Sequence, residues 1–543
     1  MSRPGASFAG IVSLVLLCSP LVLSPFMFEQ NASFIREVEN REPTVFPAIN
    51  NIGDTLDTKK WDTLSGWLRE RVPFRGDVIA TKTWVEMELL GERRIGGVDR
   101  GDDGWLFLLH SYGGHWRDPG KSVDEALAAM NGFLERNADA PATFRVLLTP
   151  DKHTIYPEHL TDDGQRDVLQ TIDERNRFES WFAQVDDPRI IDLHAAMRNE
   201  KLNTEDELYF RDDTHQNWHG GAIMAESIVD SLQPGTWDDS CVVTTQTITY
   251  PGDLRALCGI TSMPLRQKEV RATARPGVSP EQITFDGNTY EDFETVDKDP
   301  HSWQYPVRSE FESTEGLSLI PGKTLILHDS CIGSIARPLI RPYFEDVTFM
   351  HYADASPEFI DQAMQENDTV VLEVVERIAP ETFIQLLVEP NPEAPSLLWK
   401  RSDAEPVWSM SDARRDQLYP ADGVEATLAD GRLELESTGI SAAVVFNGVD
   451  LPANYRYVAR VVLRSPGLGQ STLFWSAKDD QMSPERSDSK TIRGGRNELF
   501  LEMNSAQPIS NIMFEPGGGA GEHVIESLEI RSIPLDTEPA TTS

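Results

Sequence analysis

Between residue 122 and about residue 390, the apolar positions fall into two alternating kinds of run. FRVLLTP at 144–150, VTFMHY at 347–352 and DTVVLEVVER at 368–377 are short, unbroken and rich in β-branched residues, as buried strands are. Residues 122–137 and the stretch NRFESWFAQV instead space apolar side chains three and four apart, which predicts helices. RIIDLHAAM begins as a strand. ELYFRDDTHQNWHGGAIMAESIVDSL predicts strand, loop and helix, and KTLILHDSCIGSIARPLI predicts strand, turn and helix. Strands that alternate with helices make an α/β layered domain with a mainly parallel sheet. Ligands of such sheets sit at the C-terminal strand ends. The DKH, DDTH and HDS motifs are all expected at such ends.

The flanks read differently. Residues 55–95 show helical spacing with a break at Pro73, and GVDRGDDGWLFLL follows as a Gly/Asp turn running into a short strand. After about residue 400, segments such as YRYVARVVLRS, STLFWSAKDD and ISNIMFEPG alternate with period two and are separated by Gly, Pro, Asn and Asp, which predicts an all-β sandwich. The expected domains are a signal anchor or signal peptide at 1–30, a helical lead-in at 31–95 and an α/β domain at 96–395. A Pro-rich linker at 396–408, a β-sandwich at 409–535 and a disordered tail at 536–543 complete the chain.

A chain of 543 residues is too long for one ordinary domain, and 39% hydrophobic with 25% charged residues fits a globular protein. The net charge of -39 argues against a nucleic-acid partner, since phosphate binding needs a basic surface. Residues 6–28 carry no charge and are long enough to cross a bilayer, which points to an uncleaved N-terminal anchor and an extracytoplasmic body. Cys241 and Cys258 bracket a short loop and are a candidate disulfide in an oxidising compartment, with two free thiols as the alternative. No CxxC or HExxH motif suggests a metal, and no cofactor is implied.

Chemistry concentrates in YFRDDTHQNWHGGA. Asp213 and His215 stand two apart, so in an extended or turn segment they share a face. A hydroxyl nucleophile needs such a base, held by such an acid. Ser330 is the best candidate, because it follows the apolar TLIL run and opens a helix whose N-terminus favours an oxyanion. The alternative is structural: Asp329 and Ser330 cap one helix, Asp213 caps another, and His215 is a loop histidine. Cys331 is a rival nucleophile, and His219 and His328 are rival bases. There is no GxSxG elbow.

The ordered set RERVPFRGDVIATK, VDRGDDGWLFL, TPDKHTIYPEHL, DTHQNWHGGA, YPGDLRAL, LILHDSCIGSI and VVLEVVER resembles the SGNH-hydrolase-like polysaccharide O-acetyltransferases of the alginate type, over roughly residues 60–380. The resemblance implies an SGNH-like domain that uses Asp213, His215 and Ser330 as a triad and passes acetyl groups through an acyl-serine to hydroxyls of an exported polysaccharide. It also implies a membrane-bound acyltransferase as the acetyl-donor partner. Asn217 and Lys152 are candidate oxyanion or substrate-binding donors. Gln216 and Cys331 depart from the aromatic residues usual at those two positions. An acetylesterase with the same triad and a non-catalytic polysaccharide-binding scaffold are the other readings. The C-terminal sandwich resembles carbohydrate-binding modules, with Trp475, Arg486 and Arg493 as candidate sugar contacts beside a cluster of basic residues; the alternative, favoured for Trp475, is sandwich core for the indole and a solvated face for the basic residues.

Overall fold

A computed structural model describes residues 44, 58–70, 75–112, 123–184, 187–239, 242–250, 252–260, 265–272, 275, 278–285, 288–289, 306–313, 316–402, 404–421, 423–429, 431–437, 442–467, 469–478, 480–492, 495–519 and 521–533. The expected N-terminal anchor, Pro73, Cys241, Arg493 and the C-terminal tail lie outside them. No helix among the described residues is long and apolar enough to cross a membrane.

The first large sheet has eight strands: β1 (Thr143–Thr149), β2 (Ile190–Ile191), β3 (Val278–Phe285), β4 (Asn288–Thr289), β5 (Val307–Ser313), β6 (Ile320–His328), β7 (Phe344–His351) and β8 (Thr369–Val375). Their spatial order is β2-β1-β8-β6-β7-β5-β3-β4. The strands from β2 to β7 in that order are parallel, and β5, β3 and β4 extend the sheet antiparallel. The mainly parallel α/β layer expected from the sequence is therefore present, with an antiparallel extension.

Burial on both faces explains the unbroken apolar runs, since helices cover each side of a parallel sheet. Val146 and Leu148 of β1, Leu325 and Leu327 of β6 and Val370 and Leu372 of β8 pack on one side with Phe133, Phe178 and Phe383. The intervening Leu147, Ile326 and Val371 pack on the other with Leu193, Met224, Ile228 and Ile332. The helices that supply these residues are α1 (Val123–Arg136), α2 (Ile172–Gln184), α3 (Leu193–Asn203), α4 (Trp218–Leu232) and α5 (Ala379–Leu386), with a sixth helical stretch after β6.

Two expectations change. Residues 207–210 do not form a sheet strand; Tyr209 makes a single antiparallel bridge to Gln216, which closes the intervening residues into a loop. Part of the expected linker is the helix Pro395–Arg401, whose Trp399 is buried against Val458 and Ile533 of the C-terminal region. Its Pro-rich entry matches the preference for Pro in a first helical turn.

The C-terminal region is a sandwich of antiparallel sheets with six and five strands. Its core interleaves Leu433, Val461 and Leu528 of one sheet with Phe446, Leu473 and Phe514 of the other. Trp475 belongs to this core at 6% exposure, with Nε1 donating to the Asn504 carbonyl. That is the core reading of Trp475 and not the sugar-stacking one, because a buried indole has no free face. Much of the basic cluster is paired with carboxylates. Arg456 pairs with Glu393 and Glu502, Arg460 with Glu498, Arg464 and Arg496 with Glu526, and Arg486 with Asp480.

Candidate active site

Three strand ends build the floor of the site, and one loop builds its wall. At the end of β6, Asp329 caps the following helix: its Oδ1 accepts the Cys331 N–H at 2.7 Å, and its Oδ2 accepts the Val375 N–H at 3.0 Å. Its carbonyl accepts from Gly333 N at 3.0 Å. Capping is thus done by Asp329, and the Ser330 hydroxyl is left for other work. Ser330 is the first residue of the helical turn, where a backbone N–H has no acceptor within the helix.

The neighbouring strand secures this turn from below. Glu373 of β8 accepts the Asp329 N–H at 3.0 Å and the Thr149 hydroxyl. Burial and the Asp329 charge push the Glu373 carboxyl well above its ordinary range. At the end of β8, Glu376 is buried against Arg175 and accepts the Asp151 N–H at 3.0 Å. Arg377 donates to Asp151 at 2.6 Å.

The loop carries the acid and the base. His215 Nε2 lies 2.7 Å from Ser330 Oγ, and His215 Nδ1 lies 2.6 Å from Asp213 Oδ1. Asp213 Oδ1 also accepts the His215 N–H at 2.9 Å, while its Oδ2 accepts the Asp253 N–H at 2.9 Å. Burial would raise the Asp213 carboxyl, but His215 and the two backbone N–H groups hold it down at about 2. Burial would lower His215, but Asp213 and Asp253 outweigh it and hold the imidazole up at about 9. Asp213 does not cap the next helix; Asn217 does.

Several features shape this loop. Asn217 Oδ1 accepts the N–H groups of His219 and Gly220 at 2.9 and 3.1 Å, and its Nδ2 donates to the Glu207 carbonyl at 2.6 Å. Lys152, buried just after β1, donates from Nζ to the carbonyls of Phe210, Arg211 and Asp213 at 3.0, 3.1 and 2.6 Å. Both residues therefore brace the loop, which corrects their candidate role as oxyanion donors: their donors are spent on carbonyls. Burial brings the Lys152 amine down to about 8. Gly220 is obligatory, since a Cβ there would lie 2.4 Å from the Leu208 carbonyl oxygen.

The rival groups occupy other environments. Cys331 is buried, and burial raises its thiol well above the ordinary range, away from the thiolate a nucleophile needs. His328 is buried and lowered to about 3, with Nδ1 2.7 Å from the Asp329 carbonyl. His219 faces Glu200 at 3.2 Å. Cys258 is a free thiol in a small apolar cluster with Met87, Val98 and Leu254, and its candidate partner Cys241 lies outside the described residues. The Cys258 Sγ lies 3.8 Å from the Ile95 carbonyl, and burial raises it to about 11.

Sequence reasoning missed Asp253 and Gln216 as parts of the site. Asp253 was visible only as the acid of YPGDL, and Gln216 only as a departure from an aromatic position. Gln216 is fully buried and donates from Nε2 to the Cys331 carbonyl at 3.1 Å.

Residues 98–289 match the family model of the SGNH hydrolase-like domain of the acetyltransferase AlgX. Over those residues the chain is similar to that domain. The matched segment contains Asp213, His215 and Asp253 and ends before Ser330. Among solved structures, the chain is similar to AlgX of Pseudomonas aeruginosa, with 13% identity, a TM-score of 0.39, and 84% of this chain and 98% of that chain covered. It is similar to PatB1 of Bacillus cereus, with 14% identity, a TM-score of 0.40 and 52% and 98% covered. It is also similar to the O-acetyltransferase domain of AlgJ of Pseudomonas putida, with 16% identity, a TM-score of 0.34 and 52% and 92% covered. No curated protein sequence matches the chain.

Proposed function

We propose that the chain is a serine-dependent O-acetyltransferase that places acetyl groups on hydroxyls of an exported polysaccharide. The carrying observation is the continuous line from Asp213 through His215 to Ser330, with contacts of 2.6 and 2.7 Å. The AlgX-type domain match supports the acyl chemistry and the class of acceptor.

In this reading Ser330 Oγ attacks the carbonyl carbon of an acetyl donor while His215 Nε2 takes the hydroxyl proton. The tetrahedral oxyanion sits against the Ser330 N–H at the helix N-terminus. Collapse expels the donor's leaving group, which takes the proton from His215, and leaves acetate as an ester on Ser330. A sugar hydroxyl then gives its proton to His215 and attacks that ester. Ser330 leaves as the alkoxide and recovers the proton. Asp213 holds the ring with Nε2 free toward Ser330 and stabilises the imidazolium in both halves.

The apolar N-terminal segment supports an extracytoplasmic, membrane-anchored placement. Acetyl groups then have to be delivered across the membrane, which is the work assigned to a membrane-bound acyltransferase partner.

The test is acceptor choice. Full-length protein is incubated with 4-nitrophenyl acetate and panels of neutral and acidic oligosaccharides, and O-acetylated sugars are measured by mass spectrometry. Acetylated sugar formed with wild type and lost in Ser330→Ala supports the transferase. Acetate released at the same rate with and without any sugar assigns the triad to ester hydrolysis instead.

A further inference from the structure

The DDTH loop touches a second acidic turn from outside the relay. Gly252 and Asp253 open the helix Asp253–Leu257, packed directly on the loop. The approach is so close that a Cβ on Gly252 would lie 2.0 Å from the Asp212 carbonyl oxygen. Arg255 of the same helix donates to Asp212 Oδ2 at 2.7 Å and ties the two segments from their far side.

We infer that Asp253 is a second carboxylate of the relay, a positioning residue that holds Asp213 with its backbone N–H and faces the Nδ1 edge of His215 with its side chain. The N–H donates to Asp213 Oδ2 at 2.9 Å. The carboxylate lies 3.7 Å from His215 Nδ1 and accepts the Thr214 N–H at 2.7 Å as well as the Thr214 hydroxyl. Thr214 stands between Asp213 and His215 in sequence, so Asp253 grips the residue that sets their mutual angle.

The chemical consequence follows from the charges. When His215 takes the Ser330 proton, its Nδ1–H lies between two carboxylates instead of beside one. An opposite charge within about 4–6 Å favours the protonated imidazole. Asp212, Arg255 and Lys152 are the other charged groups around Asp253, and Arg377 opposes the carboxylates at His215. Burial and the Asp213 charge push the Asp253 carboxyl up to about 6, although its side chain retains 42% exposure. It is therefore charged at neutral pH and loses that charge in mild acid.

This inference rests on reading Asp213, His215 and Ser330 as a relay, and its test separates the two. The His215 ring is titrated by NMR in full-length wild type, Asp253→Asn and Asp253→Glu. In parallel, the rate of acetyl-serine formation from 4-nitrophenyl acetate is followed against pH. Asp253→Asn is expected to lower the His215 midpoint by about one unit and to slow acylation about tenfold on its alkaline plateau, the equivalent of one unit of differential interaction. Asp253→Glu is expected to restore much of the midpoint.

A folded Asp253→Asn variant with an unchanged midpoint overturns the inference. Should that variant fail to fold, Thr214→Ala, which frees the Asp253 carboxylate from its hydroxyl donor, gives a smaller downward shift; no shift there overturns the inference equally. A wild type that forms no acetyl-serine sinks the relay reading, while the His215 midpoint still reports on Asp253.

Discussion

Gln216 Nε2 donates to the Cys331 carbonyl at 3.1 Å, joining the loop that carries the base to the turn that carries the nucleophile. Each residue is next in sequence to a reacting one, His215 and Ser330. A buried amide in this place fixes their separation in a way an apolar side chain cannot. Gln216→Leu removes the donor and with it this link between the two segments, at a cost of about 0.5–1.5 kcal/mol. Acylation is expected to fall by roughly one to two orders of magnitude, since small misplacements are costly at reacting distance. Single-turnover kinetics with an activated acetyl ester, beside a thermal melt, checks both.

The pH behaviour of the relay has two opposing signs. His215 is raised to about 9, so it is protonated at neutral pH, and acylation is expected to climb with pH until the ring loses its proton near that value. The stability from its pairing has the reverse trend. It is fully present below the ordinary value of 6.5 and is lost as pH rises through about 9. Asp213 is held at about 2, so its contribution is present above the ordinary 3.8 and is lost as pH falls toward 2. Asp213→Asn is expected to move the alkaline midpoint of acylation downward and to reduce the maximal rate by about 10³–10⁴. A pH–rate profile and denaturant midpoints across the same pH range check the two signs.

Gly252→Ala places a methyl group where the Asp212 carbonyl oxygen stands, at 2.0 Å. The two segments must separate, and Asp213 loses the Asp253 N–H. Destabilisation of about 1–3 kcal/mol is expected, together with faster amide exchange across residues 210–215. Hydrogen-exchange mass spectrometry resolves that loop directly.

The sandwich gives a contrasting prediction. Trp475→Ala opens a cavity among Leu473, Ile512 and their neighbours and is expected to cost about 3–5 kcal/mol of stability in that region. Acetyl-serine formation from a small ester is expected to stay unchanged, because Trp475 packs within the sandwich core and contributes no group to the relay. Thermal unfolding and single-turnover acylation read the two separately.

The sequence made the α/β layer visible because β1, β6 and β8 are buried on both faces, which leaves unbroken apolar runs in the chain. It made the relay visible because Asp213 and His215 share one loop and Ser330 ends a strand. What stayed hidden depends on contacts between distant segments. Lys152 and Asn217 have the donors an oxyanion requires, and only the carbonyls of residues 207–213 show that those donors are already used. Trp475 alternates correctly for either face of its strand, and the partner sheet decides which face is inside. The basic run after residue 455 reads as a cationic surface until its cross-strand glutamates are placed opposite it.

The central claim is that Ser330 becomes acetylated. The direct measurement is intact mass of the full-length protein after brief exposure to 4-nitrophenyl acetate, with the adduct located by peptide mapping, in wild type, Ser330→Ala and His215→Ala. A single acetyl group on the Ser330 peptide in wild type, absent from both variants, is the predicted result. An adduct of equal size in Ser330→Ala, or none in wild type across the pH range through 9, contradicts it.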